Sequence, residues 1–311
     1  MTAFAAARLV VSDDGETAAN AFRKRVADWR SSKENAGNQY GPIGSAAIWT
    51  QLESDGWLSA GFAVGADGGS LTPLRDLVEL AEIWGGALLA LPITATILVR
   101  RWTRGAPPLP EGPAEPLTFA VPAGGRALVP FGDSATAIAV DATGSARRLG
   151  KLASSSPAAD GFATTLPLPA CQIGTTVALT PAHAKEAAIL HAATAIGCAA
   201  VCLQRTADYS RERIVYAKPI GTYQAVRHII VDMYRDVELA RSGIVGAVLE
   251  DDWRGLTEAC LDMAQRVVAR SIQVHGGVGF TWDMGLHFHA RHILAVRSLV
   301  RALGATAIRA E

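Results

Sequence analysis

Two stretches of this chain carry residue types whose spacing suits ligand chemistry. The first is YSRERIVYAKPIGTYQ, residues 209–224, in which Arg213 stands ahead of Tyr216, Pro219, Ile220, Gly221 and Gln224. A guanidinium forks onto two oxygens of a phosphate or carboxylate, so Arg213 beside a Pro-Ile-Gly turn is a candidate anion grip. Read alone, it is also a solvated arginine past a helix end. The second stretch is QVHGGVGFTWD, residues 273–283. Its clustered glycines stop a helix, Asp283 can cap the next one, and bare backbone lets an anionic or planar ligand approach closely. Read alone, it is an interhelical turn.

Both stretches punctuate a helical region. Thr180 and Pro181 have the types of an N-cap and a first helical residue, and open a helix expected to reach about residue 211. Further helices are expected over 222–249, 252–274 and 283–303, joined by short links, which predicts a four-helix bundle over 179–311. The preceding region, 106–178, opens with APPLPEGPAEP, whose prolines lack the N–H that a helix or central strand needs. The runs LTFAV, ALVPF, TAIAV, FATTL and PACQI follow at turn-like spacing and predict a small antiparallel β domain.

Residues 1–105 read as a helical domain with helices over 17–30, 46–55 and 74–89. In the last of these Leu74, Leu77, Val78, Leu80, Ala81, Trp84 and Leu88 recur at near-helical spacing. A loop is expected over 35–45. The apolar run 83–99 is broken by Pro92 and shorter than the ~20 residues of a membrane span, so it reads as two buried helices meeting near Pro92. The fold expected is mainly α with a reduced middle β domain. The order helical, β, helical excludes a doubly wound sheet, and no glycine-rich phosphate loop follows a strand.

Half of the 311 residues are hydrophobic and 19% are charged, as in a globular chain. Lys plus Arg and Asp plus Glu balance at 29 each, so no bulk field exists to hold a nucleic acid. A short apolar start followed at once by acidic residues argues against a signal peptide. Cys171, Cys198, Cys202 and Cys260 suit reduced, buried thiols, and a cytoplasmic location is expected. Cys198 and Cys202 share a helix face as a core pair or half of a metal set, and no second pair completes the set. His287, His289 and His292 likewise lack a carboxylate or cysteine partner, and no metal is expected.

In this order and at this separation, the two stretches resemble the acyl-CoA dehydrogenase family. Its C-terminal pattern is Arg-x-x-Phe-Gly-x-Pro-Ile, a Gln, then Gln-x-x-Gly-Gly-x-Gly-Phe-Thr-Trp-Glu. Arg213, Pro219, Ile220, Gln224, Gln273, Gly276, Gly277, Gly279, Phe280, Thr281 and Trp282 match it. Asp283 stands for Glu, Tyr216 for Phe and Ala217 for Gly, and His287 and Arg291 continue the following helix. VDMYRDVELAR, residues 231–241, and, at the front, GWLSAG, GADGGS and ELAEIWGGALLALPITATILV extend the resemblance. It implies an N-terminal helical domain, a middle β domain and a C-terminal bundle.

It also implies FAD as cofactor, an acyl-CoA thioester desaturated between its α and β carbons, and electron-transfer flavoprotein or a similar acceptor. Family members share the flavin across a subunit interface. The residues this carries over as contacts to the pyrophosphate and ADP are Arg213, Gln273, Gly276 and Gly277, with Tyr216 and Gln224 beside them. The family's isoalloxazine loop, Thr-Glu-x-x-Ala-Gly-Ser-Asp-like, and its Trp-Ile-Thr-like strand have no counterpart between 117 and 174. The two family positions for the catalytic base fall on Ala187 and near Val300. Glu186 is the neighbouring carboxylate, read either as a candidate base or as a surface helix residue. Bacterial α2β2 acyl-CoA dehydrogenases, including those acting on steroid side chains, pair a catalytic subunit with one that completes the flavin site. The resemblance is to the second kind, which implies a homologous catalytic subunit as partner.

Overall fold

A computed structural model describes residues 11–35, 38–63, 70–103, 115–123, 126–140, 146–150, 165–168, 170–171 and 179–310. The N-terminal part holds α1 (Asp13–Ser31), α2 (Ala46–Ser54), the short antiparallel pair β1 (Phe62–Ala63) and β2 (Ser70–Leu71), α3 (Leu74–Gly86) and α4 (Ile93–Trp102). Ser12 caps α1 by accepting the Gly15 N–H at 2.9 Å, while its own hydroxyl donates to Asp76 Oδ2 at 2.6 Å. One residue thus terminates α1 and ties it to α3.

The helix expected over 74–89 ends at Gly86. Leu88 turns left-handed at φ 51°; its carbonyl accepts the Ile43 N–H at 3.1 Å, and the Ala90 N–H donates to the Ile43 carbonyl at 2.8 Å. That long-range pairing overrides the local helical spacing. The chain then breaks at Pro92, so the apolar run is two buried helices as expected.

The middle region holds β3 (Leu117–Phe119), β4 (Val121–Ala123), β5 (Arg126–Leu128), β6 (Thr136–Val140), β7 (Ala146–Gly150) and β8 (Ala170–Cys171). Its strands form two three-stranded sheets, β3-β6-β7 and β4-β5-β8. The expectation of a purely antiparallel domain needs correction, because β3 pairs β6 in parallel. The run FATTL lies largely outside the described residues. This region's separate core cluster consists of Ala120, Ala127, Val129, Ala137 and Cys171, all small side chains. Its larger apolar groups, such as Phe119 and Ile138, join the main core instead. Trp102 packs edge-on against Phe119 at 5.1 Å, and Thr96 bonds both the N–H and the carbonyl of Leu117 at 3.0 Å.

The C-terminal bundle consists of α5 (Pro181–Glu212), α6 (Gln224–Leu249), α7 (Trp253–His275) and α8 (Leu286–Ala310). Thr180 caps α5 by accepting the His183 N–H at 3.1 Å, as its type and position predict. α8 starts at Leu286, three residues past Asp283, so Asp283 is not its cap. It runs beyond residue 303 because Leu303 and Ala307 keep its buried face continuous. Side-chain pairs give the directions. Thr206 meets Ser271, so α5 and α7 run parallel; Lys185 reaches the Glu250 carbonyl and His292 meets Thr194, so α6 and α8 run back. Asp236, 2% exposed, anchors α6 to α7 through Arg266 at 3.2 Å and Arg270 at 3.1 Å.

α5 is long and apolar enough to cross a membrane by composition, but 78% of its most apolar window is buried within the protein. Its tightest neighbour is α3, where Gly85 and Gly86 face Thr194 and Gly197. A methyl group on Gly197 would run into the Glu82 carbonyl oxygen, a backbone atom that cannot turn aside. Gly197→Ala is therefore expected to destabilise the chain by about 3 kcal/mol, read as a lower urea midpoint with an unchanged m-value.

Candidate functional site

α5 ends at Glu212, and Arg213 caps it with its N–H on the Tyr209 carbonyl at 2.9 Å. A two-residue hairpin follows. β9 (Ile214–Val215) pairs antiparallel with β10 (Lys218–Pro219), with Tyr216 and Ala217 at its tip. Both tip residues are left-handed, at φ 49° and 63°, as a turn matching the strand twist requires. Three contacts hold this shape: Ile220 N–H on the Arg213 carbonyl at 2.8 Å, the Tyr223 hydroxyl on the Val215 carbonyl at 2.9 Å, and Gly221 against Ser210. A Cβ on Gly221 would lie 3.0 Å from the Ser210 carbonyl oxygen, so only glycine seats the hairpin this closely. Tyr216 is 90% exposed, and Arg213 is exposed beside it.

The second stretch begins where α7 stops. Gly276 takes φ 64° and ψ −141°, a conformation for glycine, and a short 3-10 turn runs to Phe280. Gly279 is buried, and a Cβ there would come 2.7 Å from the Ile272 carbonyl. Gly277 differs from both. It is exposed, its φ is not positive, and an added Cβ would meet nothing within 4 Å. Nothing within this chain requires glycine there. Val278, Phe280 and Trp282 project outward beside it at 44%, 77% and 66% exposure.

The parallel run of α5 and α7 brings the two stretches to one end of the bundle. The Tyr209 ring stacks on His275 at 4.4 Å, locking the last turn of one helix to the last turn of the other. Gln273, exposed on the final turn of α7, and Gln224, the first residue of α6, lie at this same end. The electrostatics are mixed. The C-terminal dipoles of α5 and α7 disfavour an anion, whereas the N-terminus of α6, which has no side-chain cap, favours one. Arg213 supplies a full positive charge at the hairpin base. Tyr209 and His275 position the site by packing. Sequence reasoning gave them no role, because their pairing depends on helix direction.

Glu186 lies at the opposite end of α5, roughly 40 Å away at 1.5 Å per residue. Arg101 Nε donates to one of its oxygens at 3.0 Å and Trp102 Nε1 to the other at 2.8 Å. Arg101 also donates to the Gly61 and Thr72 carbonyls, both at 2.8 Å. Glu186 thus ties α4 to α5 through both of its carboxylate oxygens. Ala187 is 0% and Val300 3% exposed, so both expected base positions are apolar core. Cys198 and Cys202 are a buried core pair, with the Cys198 thiol on the Gly85 carbonyl at 3.2 Å, and no metal-binding group of His, Cys, Asp or Glu occurs among the described residues.

The described part of the middle region meets the bundle at a seam with α5 and α8. Here it encloses a cavity of about 20 Å3, lined by Phe131, Thr165, His191, Thr194 and His292. That volume suits one water at most. His292 bonds Thr194 at 2.8 Å and Thr165 at 2.9 Å, and so fastens the middle region to α5 and α8. The exposed end of the bundle offers groups whose chemistry suits the ADP half of FAD: a guanidinium with no side-chain partner among the described residues, an uncapped helix start, bare glycine backbone and exposed aromatic rings.

A family profile described as "Acyl-CoA dehydrogenase, C-terminal domain" matches residues 174–310. The matched segment is a little under half of the chain, and over it the sequence is similar to the C-terminal domain of acyl-CoA dehydrogenases. Acyl-CoA dehydrogenase IpdE2 of Mycobacterium tuberculosis is 37% identical over 117 residues, 36% of this chain and 37% of its own length. The match therefore spans little more than a third of that relative. Over the whole chain the acyl-CoA dehydrogenase fold is present. A chain of the ChsE4-ChsE5 complex from Mycobacterium tuberculosis superposes with TM-score 0.69 at 19% identity, covering 97% of both chains. The Tcur3481-Tcur3483 steroid ACAD superposes with TM-score 0.60 at 19% identity, covering 93% of this chain and 91% of that one.

The closed seam makes a pH prediction. Burial holds both of its histidines neutral, with the pKa of His292 lowered to about 3 by desolvation and then by His191, and that of His191 lowered to about 4 by desolvation. Below the ordinary value of 6.5 the unfolded chain takes up these protons and the folded chain does not. Stability present above pH 6.5 is therefore lost as pH falls toward 4 and 3, at about 1.4 kcal/mol per pH unit for each histidine. Urea melts at pH 7, 6 and 5 are expected to show this slope, and His292→Gln to flatten it.

Proposed function

We propose that this chain is the flavin-completing subunit of a heteromeric, FAD-dependent acyl-CoA dehydrogenase. It presents the ADP-side half of the flavin site to a homologous catalytic partner. The observation that carries this reading is Gly277, a bare exposed glycine that its own chain does not need, at the same end of the bundle as Arg213 and close in sequence to the exposed Phe280 and Trp282. When bound, FAD would accept the β hydride as an acyl-CoA thioester becomes its α,β-enoyl form. Within this chain, Arg213 would fork onto the pyrophosphate, the N–H groups at the start of α6 would face the same charge, and Gly276 and Gly277 would leave room for the nucleotide. Gln224 and Gln273 would hydrogen-bond its polar edge, and Tyr216 would cover its flat face.

The base and the isoalloxazine cradle are assigned to the partner. Support comes from the buried apolar residues Ala187 and Val300 and from Glu186, whose two oxygens are held by Arg101 and Trp102. Similarity to chains from complexes, one of them named a steroid ACAD, supports a paired subunit and a CoA thioester of a steroid-derived acid as substrate class. Electron-transfer flavoprotein or a similar acceptor would reoxidise the complex. A cytoplasmic location is in keeping with four buried cysteines that form no disulfide.

Purification with and without a co-expressed homologue tests the reading. The chain alone is expected to be colourless and the complex yellow. A yellow chain that is active alone would instead mark a self-sufficient homomer, and a colourless complex a flavin-free homologue. Arg213→Ala is expected to weaken FAD retention by the complex by about 1.5–3 kcal/mol, the range for a charge-assisted hydrogen bond. Gly277→Ala should lower FAD content while leaving the melting temperature of the isolated chain unchanged. Full occupancy in both variants at limiting flavin would refute the site.

A further inference from the structure

A second site candidate lies on the flank of the bundle. Between α1, α3, α5 and α8 is a cavity of about 380 Å3, within the size range of small-molecule pockets. None of Arg213, Gly276 or Gly277 lines it. Arg30 enters from α1 and donates to the Gly41 carbonyl at 2.6 Å and the Asn38 carbonyl at 3.3 Å, and also to the Ala87 carbonyl. Arg205 enters from α5, donates to the Met284 carbonyl, and lies with its guanidinium carbon 3.9 Å over the Tyr40 ring.

Carbonyls and a ring are the partners of these two cations, and no carboxylate among the described residues neutralises either. Burial and mutual repulsion lower the pKa of Arg30, and burial comes first for Arg205. The wall also carries Glu82, already bound by Arg241 at 3.0 Å, and Arg23, bound by Glu79 at 2.5 Å. His289 faces the same cavity, 2% exposed, and its Nδ1 has no hydrogen-bond partner among the described residues. Two half-buried like charges and an unpartnered buried imidazole nitrogen are each unfavourable, and one oxyanion would relieve all three.

We propose that this cavity binds the carboxylate of a small amphiphilic acid, with Arg205 forking the carboxylate, His289 donating one hydrogen bond, and Val26, Ile83, Leu88 and Val201 covering the apolar body. A planar monoanion fits better than phosphate for two reasons. Arg30 has most of its N–H groups engaged on carbonyls, leaving one guanidinium with an open edge. Glu82 on the wall repels a second negative charge.

The test uses the full chain and hexanoate as probe, with hexylamine, inorganic phosphate and chloride at matched ionic strength, followed by thermal unfolding and titration calorimetry. Hexanoate alone is expected to raise the melting temperature, and Arg205→Gln to weaken its binding at least tenfold. Should that variant fail to fold, Arg205→Lys keeps the charge and loses the fork, and a several-fold weakening is expected. Hexanoate acting no better than chloride, or binding unchanged in the variant that folds, would overturn the proposal. Phosphate or hexylamine acting as well as hexanoate would overturn the assignment to an amphiphilic carboxylate.

Discussion

The contact between α3 and α5 sets the geometry of the whole chain. Gly85, Gly86 and Gly197 remove side chains where the two helices cross, so backbone meets backbone. The Cys198 thiol donates across this crossing to the Gly85 carbonyl at 3.2 Å. At such close approach the crossing has little freedom, because interiors this dense transmit displacements instead of absorbing them. α5 is also the common wall of the bundle. Its N-terminal part takes the Arg101–Glu186 clamp, its centre the seam histidines and the glycine crossing, and its last turn the Tyr209–His275 stack. The position of the Arg213 hairpin follows from that of α5, and so from the crossing.

The same dependence explains which parts of the fold were legible in the sequence. Element starts written in local chemistry were readable: Thr180 and Pro181 open α5, Pro92 divides the apolar run, and Gly276 closes α7. Features set by distant residues were not. Leu88 leaves the helical region because Ile43 pairs with the Leu88 carbonyl and the Ala90 N–H, and β3 pairs β6 in parallel although the turn spacing suggested successive hairpins. Glu186 looked free because its partners, Arg101 and Trp102, come from the other helical domain. Arg205, Tyr40 and His289 carried no motif, and only the packing of α1 and α8 against α5 gathers them.

The two ends of α5 show different chemistry. At the N-terminal end and the seam, polar groups are turned inward and satisfied by the protein itself: Glu186 by Arg101 and Trp102, His292 by Thr194 and Thr165. Groups satisfied in this way stabilise packing and are not available to a substrate. At the C-terminal end, Arg213, Tyr216, Phe280 and Trp282 face outward. Large apolar rings exposed to water are poorly solvated as they stand, and the heteromeric reading proposed above would cover them.

Ala217 sharpens this contrast. A left-handed alanine costs about 1–2 kcal/mol relative to a relaxed conformation, and the position corresponds to a glycine in the family pattern. The hairpin nevertheless keeps both tip residues left-handed, held by the Ile220 and Tyr223 hydrogen bonds and by the Gly221–Ser210 contact. Those three restraints over-determine the turn, and the strain is absorbed there without opening it. A hairpin with no role in the chain's own core would relax under such a substitution at little cost. Its retention sets the Tyr216 tip and the adjoining Arg213 rigidly at the end of α5, so a partner or nucleotide docking there would meet a preorganised surface and lose little conformational entropy on binding.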